Sequence, residues 1–151
     1  MSQLCNTQSS PVGDDVAMST DYRNVFIEAA PDCPATEGEE PPAGRGNPTI
    51  ARLQYELLSQ APYEMSSDDV LFAVHAARTS VPPSEMDAAR AAFFAKDQAC
   101  LRASPLGKRY GWGTHHDGEG RVALYGVGTA EYERLARDPN LGHKSAMKSR
   151  R

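Results

Sequence analysis

A chain of 151 residues that is 40% hydrophobic and 24% charged, with a net charge of −4, has the composition of one soluble domain of ordinary size. No run approaches the roughly 20 apolar residues of a membrane-crossing helix. The opening Met-Ser-Gln-Leu-Cys-Asn-Thr-Gln also lacks the basic start and apolar stretch of a secretory signal, so a cytoplasmic location without membrane attachment is expected.

Residues 1–20, rich in Ser, Asp, Asn and Gln, carry too few large apolar groups to offset the entropy of ordering them, and a disordered extension is expected there. Tyr22 to Ala30 alternates in the manner of a first strand. Residues 31–48 then combine five prolines, three glycines and the acids Glu37, Glu39 and Glu40, the composition of a long loop. Asn47-Pro48 offers a helix cap followed by a preorganised first residue, and Ile50, Leu53, Leu57 and Leu58 give that helix its apolar stripe. A second helix starts at Ser66-Ser67-Asp68-Asp69, runs through Val70, Leu71, Val74 and His75, and stops at Val81-Pro82-Pro83. A third begins at Ser84 with a weak capping box, and Met86, Ala89, Phe93 and Phe94 form its buried face.

After Lys96 the period changes. Cys100 to Tyr110 is expected as a loop or short edge strand, and Gly111 to Asp117, Gly118-Glu119-Gly120 and Arg121 to Val127 as a β-hairpin. Thr129 caps a short helix to Arg137, and residues 140–151, with four basic residues and no acid, form a basic tail. The expected architecture is α+β: a small antiparallel sheet, made of the N-terminal strand and the C-terminal hairpin, packed against three to four short helices. Residues 21–139 form the single domain.

The densest polar cluster lies between Cys100 and Asp117. Arg102, Lys108 and Arg109 supply fixed positive charge suited to a carboxylate or phosphate, because arginine presents paired donors. Ser104, Tyr110 and Trp112 would complete the ligand wall, and His115, His116 or Cys100 would act on a bound molecule. The competing reading is a solvated basic loop that pairs with the acidic segment 37–40. Strand parity sends His115 and His116 to opposite faces, grouping Trp112, Thr114 and His116 on one and His115 with Asp117 on the other, so a His-His metal pair is not expected. Cys5, Cys33 and Cys100 contain no C-x-x-C pair and are expected as free thiols, with Cys33 and Cys100 the nucleophile candidates. His75 is expected at the edge of a core face.

Leu101-Arg102-Ala103-Ser104-Pro105-Leu106, Lys108-Arg109-Tyr110-Gly111-Trp112-Gly113 and Val122-Ala123-Leu124-Tyr125-Gly126 stand out together. So do Phe26-Ile27-Glu28, Asp32-Cys33-Pro34, Gln54-Tyr55-Glu56-Leu57 and Ser67-Asp68-Asp69-Val70-Leu71-Phe72. With these motifs the chain, from about Tyr22 to Arg151, resembles a family of small microbial proteins catalogued only as a domain of unknown function. The resemblance implies that residues 1–20 are a private extension and that the Lys-Arg-rich end belongs to the domain. No cofactor and no catalytic residue follow from it.

The leading expectation is therefore a protein that binds a small anionic ligand, between the loop carrying Cys33 and the Cys100–Asp117 segment. A nucleic-acid-binding module is the alternative, using the hairpin and Lys144, Lys148, Arg150 and Arg151 against phosphates. A non-catalytic interaction partner is the third.

Overall fold

The computed structural model describes residues 19–148, which form an α+β fold built on a four-stranded sheet with strand order β3-β2-β1-β4. Strand β1 (Val25–Glu28) is central. It pairs antiparallel with β2 (Trp112–His116), which pairs antiparallel with β3 (Val122–Gly126) across the expected hairpin. Asp117 closes that turn by accepting the Glu119 and Arg121 amides on Oδ1, each at 2.9 Å.

The basic tail contains the fourth strand. Gly142–Ser145 (β4) pairs parallel with β1, so the sheet is mixed although mostly antiparallel. Gly-His-Lys-Ser has neither alternation nor β-branched residues, and its pairing comes from outside the segment. The Gly142 amide donates to the Asn24 carbonyl and the Ala146 amide to the Glu28 carbonyl, both at 2.8 Å. Arg102 holds the other side: its Nε donates to the Ser145 carbonyl at 2.7 Å, and its own carbonyl accepts the Met147 amide at 2.7 Å. Arg102→Ala is expected to cost about 1–3 kcal/mol and to speed amide exchange selectively over residues 142–147. Uniform exchange across the sheet in that variant would refute the clamp.

The helices start where their caps are. The first, α1 (Ile50–Gln60), is capped by Thr49, whose Oγ1 accepts from the Arg52 amide at 3.2 Å, two residues beyond the expected Asn47. The second, α2 (Ser67–Thr79), carries a full capping box between Ser66 and Asp69. The third, α3 (Met86–Phe94), follows a 3-10 turn at Pro83–Glu85 and has no side-chain cap, so the box expected at Ser84 is not formed. Helix α5 (Ala130–Ala136) is capped by Thr129, and its Tyr132 meets Phe26 edge-on at 5.1 Å between centroids.

Residues 100–110 are helical, correcting the expected loop or strand. Leu101–Ala103 is a 3-10 turn and Pro105–Arg109 is α4, capped by Ser104 with Pro105 in its first turn. Ser-Pro is the same cap-and-proline signal as Asn-Pro, here masked by Gly107. That glycine is required by packing, because a Cβ would stand 2.8 Å from the Ala146 Cβ.

Leu58, Val70, Leu101 and Val122 form the main core between α1, α2 and one sheet face, and Phe72, Ala76 and Phe94 form a second cluster between α2 and α3. Among the described residues no helix is long and apolar enough to cross a membrane.

Candidate functional site

Two adjoining cavities lie on the helical side of the molecule. The inner one, about 420 Å³ and open to solvent on one side, is lined by α1 (Ile50, Gln54), α2 (Leu71, Val74, His75, Arg78), Phe93 of α3 and the segment from Gln98 to Pro105. The outer one, about 410 Å³, is bounded by Thr49, Ile50, Arg78 and the α4 residues Lys108 and Arg109, with Tyr110 after them. Ile50, Arg78, Ala103 and Pro105 line both, so the two form one groove.

Several polar groups of the inner chamber are engaged with one another or with the backbone. Ser104 Oγ donates to Gln54 Oε1 at 2.5 Å, Gln98 Nε2 to the Phe93 carbonyl at 2.7 Å, and Thr79 Oγ1 to the His75 carbonyl at 2.8 Å. Cys100 Sγ shares a 3.3 Å hydrogen bond with the Tyr22 hydroxyl. Burial, followed by the thiol beside it, pushes the Tyr22 phenol up to about 12, so the ring stays protonated at neutral pH. The His75 ring lies against Phe93 at 4.6 Å between centroids.

The outer chamber is cationic. Arg78 and Arg109 are exposed and Lys108 is half-buried, and among the described residues none of the three forms an ion pair. In the acidic segment, Glu40 pairs with Arg52 on α1, and among the described residues Glu37 and Glu39 form no ion pair. The loop carrying it crosses β2, where the Glu39 amide donates to the Tyr110 carbonyl and Trp112 Nε1 donates to the Glu39 carbonyl, both at 2.8 Å.

The fold thus brings Cys100 and Ser104 to the inner chamber and Lys108, Arg109 and Tyr110 to the outer one. It leaves the other sequence candidates outside the groove. Arg102 is committed to β4. Trp112 lines a separate shallow pocket with Gly38 and Gly126. His115 lies on the sheet face opposite the main core, with Nδ1 2.8 Å from the Tyr63 hydroxyl, and burial holds its pKa below the usual value. His116 has no exposed surface. Its Nε2 sits 3.1 Å from Thr114 Oγ1, its Nδ1 has no hydrogen-bond partner among the described residues, and Tyr22 meets it edge-on at 5.5 Å. Burial lowers its pKa to about 4, so it is neutral near pH 7 and not poised to exchange a proton there. Parity is as expected, with Thr114 and His116 turned inward together.

Cys33 and Cys100 are free thiols, and Cys5 lies outside the described residues. Cys33 does not line the groove, so the loop that carries it does not form the expected opposite wall. Among the described residues no three His, Cys, Asp or Glu side chains converge as a metal site. The residues missed by sequence reasoning are Gln54, His75 and Arg78. Leu71, Val74, His75 and Arg78 share one helical stripe, and that stripe looks like a core face until its Arg end is noticed.

A family model, described as a family of unknown function (DUF6157), matches residues 17–151. The chain belongs to that family. Its match extends through β4, so the Lys-Arg-rich end is part of the family domain and not an appendage. No curated protein and no solved structure matches the chain.

Proposed function

We propose that this chain binds a small organic anion in the groove between α1, α2 and α4, as a cytoplasmic protein. One observation carries the reading: among the described residues Arg78, Lys108 and Arg109 form no ion pair, and they stand beside a largely apolar cavity. Fixed cations that meet no acid are an electrostatic site for a carboxylate or phosphate, and the low-polarity wall beside them strengthens the attraction. Two half-buried free thiols fit a reducing compartment. The nucleic-acid reading has less support. Lys144 lies over the Tyr22 ring at 5.7 Å on β4, Arg150 and Arg151 lie outside the described residues, and the cations of the groove form a pocket, not a stripe.

Short carboxylates and organic phosphates are expected to raise the melting temperature of the full chain. A ligand at 100 times its Kd contributes about 2.7 kcal/mol. Arg78→Ala and Lys108→Ala/Arg109→Ala should remove that shift while leaving the ligand-free melting point within about 0.5 kcal/mol of the parent, as surface changes usually do. A panel of anions that leaves the parent melting point unmoved would defeat the proposal.

A further inference from the structure

We infer, resting on the anion-binding reading above, that the ligand is a single-chain amphipathic acid. Its carboxylate or phosphate head sits among Arg78, Lys108 and Arg109, and its unbranched aliphatic tail passes Ala103 into the inner chamber. The two chambers adjoin along Ile50, Arg78, Ala103 and Pro105, which line both, so a ligand lying across that shared rim reaches both. They differ in chemistry. The cations belong to the outer chamber and the shared rim, whereas behind Ala103 the walls are Leu71, Val74, Phe93 and Ala99.

The apolar share of the walls and the engagement of several inner polar groups favour a hydrocarbon over a sugar or nucleoside there. Ser104 Oγ and Thr79 Oγ1 donate to Gln54 Oε1 and the His75 carbonyl, Gln98 Nε2 donates once to the Phe93 carbonyl, and Cys100 is taken by Tyr22. A hydroxyl-rich ligand would give up its hydration for few partners, at a cost for every unpaired group. A hydrocarbon tail gives up nothing and gains from each methylene it buries. A volume of about 420 Å³ is at the small end of ligand cavities, which suits a narrow chain and sets a limit on its length.

The test is calorimetric titration of the full chain with acetate, butanoate, hexanoate, octanoate and decanoate, with the matching alkyl phosphates and with octylamine as the cationic control. Affinity is expected to rise about three- to fourfold per methylene and to level off once the chamber is full, with octylamine showing no binding. The phosphate series reports which head is preferred. Ala103→Phe, placed at the junction, should abolish the chain-length dependence and leave weak binding of the short members, whereas Arg78→Ala should weaken every member alike.

Thiol protection supplies an independent readout in the unaltered protein. Octanoate should slow alkylation of Cys100, which lines the inner chamber, and leave Cys33 unaffected. Equal affinities across the series with Arg78→Ala still weakening them, or no protection of Cys100, would overturn the tail assignment while the anion site stands. If no member binds, both readings fall.

Discussion

Gly111→Ala is expected to destabilise the protein by about 2–5 kcal/mol, lowering the melting temperature by about 5–20 °C. Two effects add. Gly111 sits at φ +76, where a side chain costs about 1–2 kcal/mol. A Cβ there would also stand 2.4 Å from the Glu37 carbonyl oxygen and 3.1 Å from the Ala35 Cβ, an overpacking that costs about 1–3 kcal/mol. The neighbouring backbone cannot yield freely, because the Gly111 carbonyl accepts the Val127 amide at 2.9 Å and the adjoining Tyr110 carbonyl accepts the Glu39 amide at 2.8 Å. Gly46→Ala is the control. It has φ +69 but nothing within 4 Å of the added Cβ, so it should show the conformational cost alone. Equal melting points for the two variants would show that the close approach of the Pro-rich loop to β2 does not matter.

Stability should fall on acidification, and His116 should be the main cause. Its pKa is about 4 in the fold against 6.5 ordinarily, so between these values the unfolded chain binds the proton and the folded chain does not. The contribution is therefore complete above pH 6.5 and is lost as pH falls toward 4, about 3 kcal/mol in all. His115 is shifted in the same direction by burial and adds to the slope. Burial alone would raise the Asp117 carboxyl, but the Arg121 and Glu119 amides hold it below 3.8, so its contribution is lost only in stronger acid. Asp21, raised chiefly by burial, works in the opposite sense at that acid end. Chemical denaturation at about pH 7.5 and about pH 4.5 should differ by about 2–3 kcal/mol in the parent. In His116→Leu the difference should shrink to a small remainder. An unchanged pH slope in that variant would assign the effect elsewhere.

The elements legible from sequence are those whose signals are local. Ser66 and Asp69 form a capping box because a hydroxyl and a carboxylate three residues apart reach each other's amides without help from the rest of the chain. Thr129 before α5 and Asp117 in the hairpin turn work in the same way. Local signals were also overlooked where a glycine followed, as at Ser104-Pro105. The groove was only half legible. Lys108 and Arg109 are adjacent and conspicuous, but Arg78 is thirty residues away on α2, and only the packing of α2 beside the Ala103–Pro105 turn makes it a cation shared by both chambers.

His116 illustrates the other limit. An imidazole between His115 and Asp117 has every local mark of a titrating group, and alternation correctly placed it on a face with Thr114. Which face would be dry depended on α1 and α2 closing over Val122 and its neighbours. That closure leaves His116 without exposed surface and moves its titration far from neutrality.

Composition, caps and periodicity thus determined, without coordinates, the α+β class, the hairpin and its parity, and most of the helices. Each depends on groups a few residues apart. Tertiary structure alone decided three matters: that Gly-His-Lys-Ser is a strand, that Glu40 pairs with Arg52 on α1, and that Arg78 lines the same groove as Lys108 and Arg109. The physical reason is common to all three. Edge pairing and charge pairing are set by whichever partner the packed helices and the central strand β1 leave within reach, and that choice has no local signature.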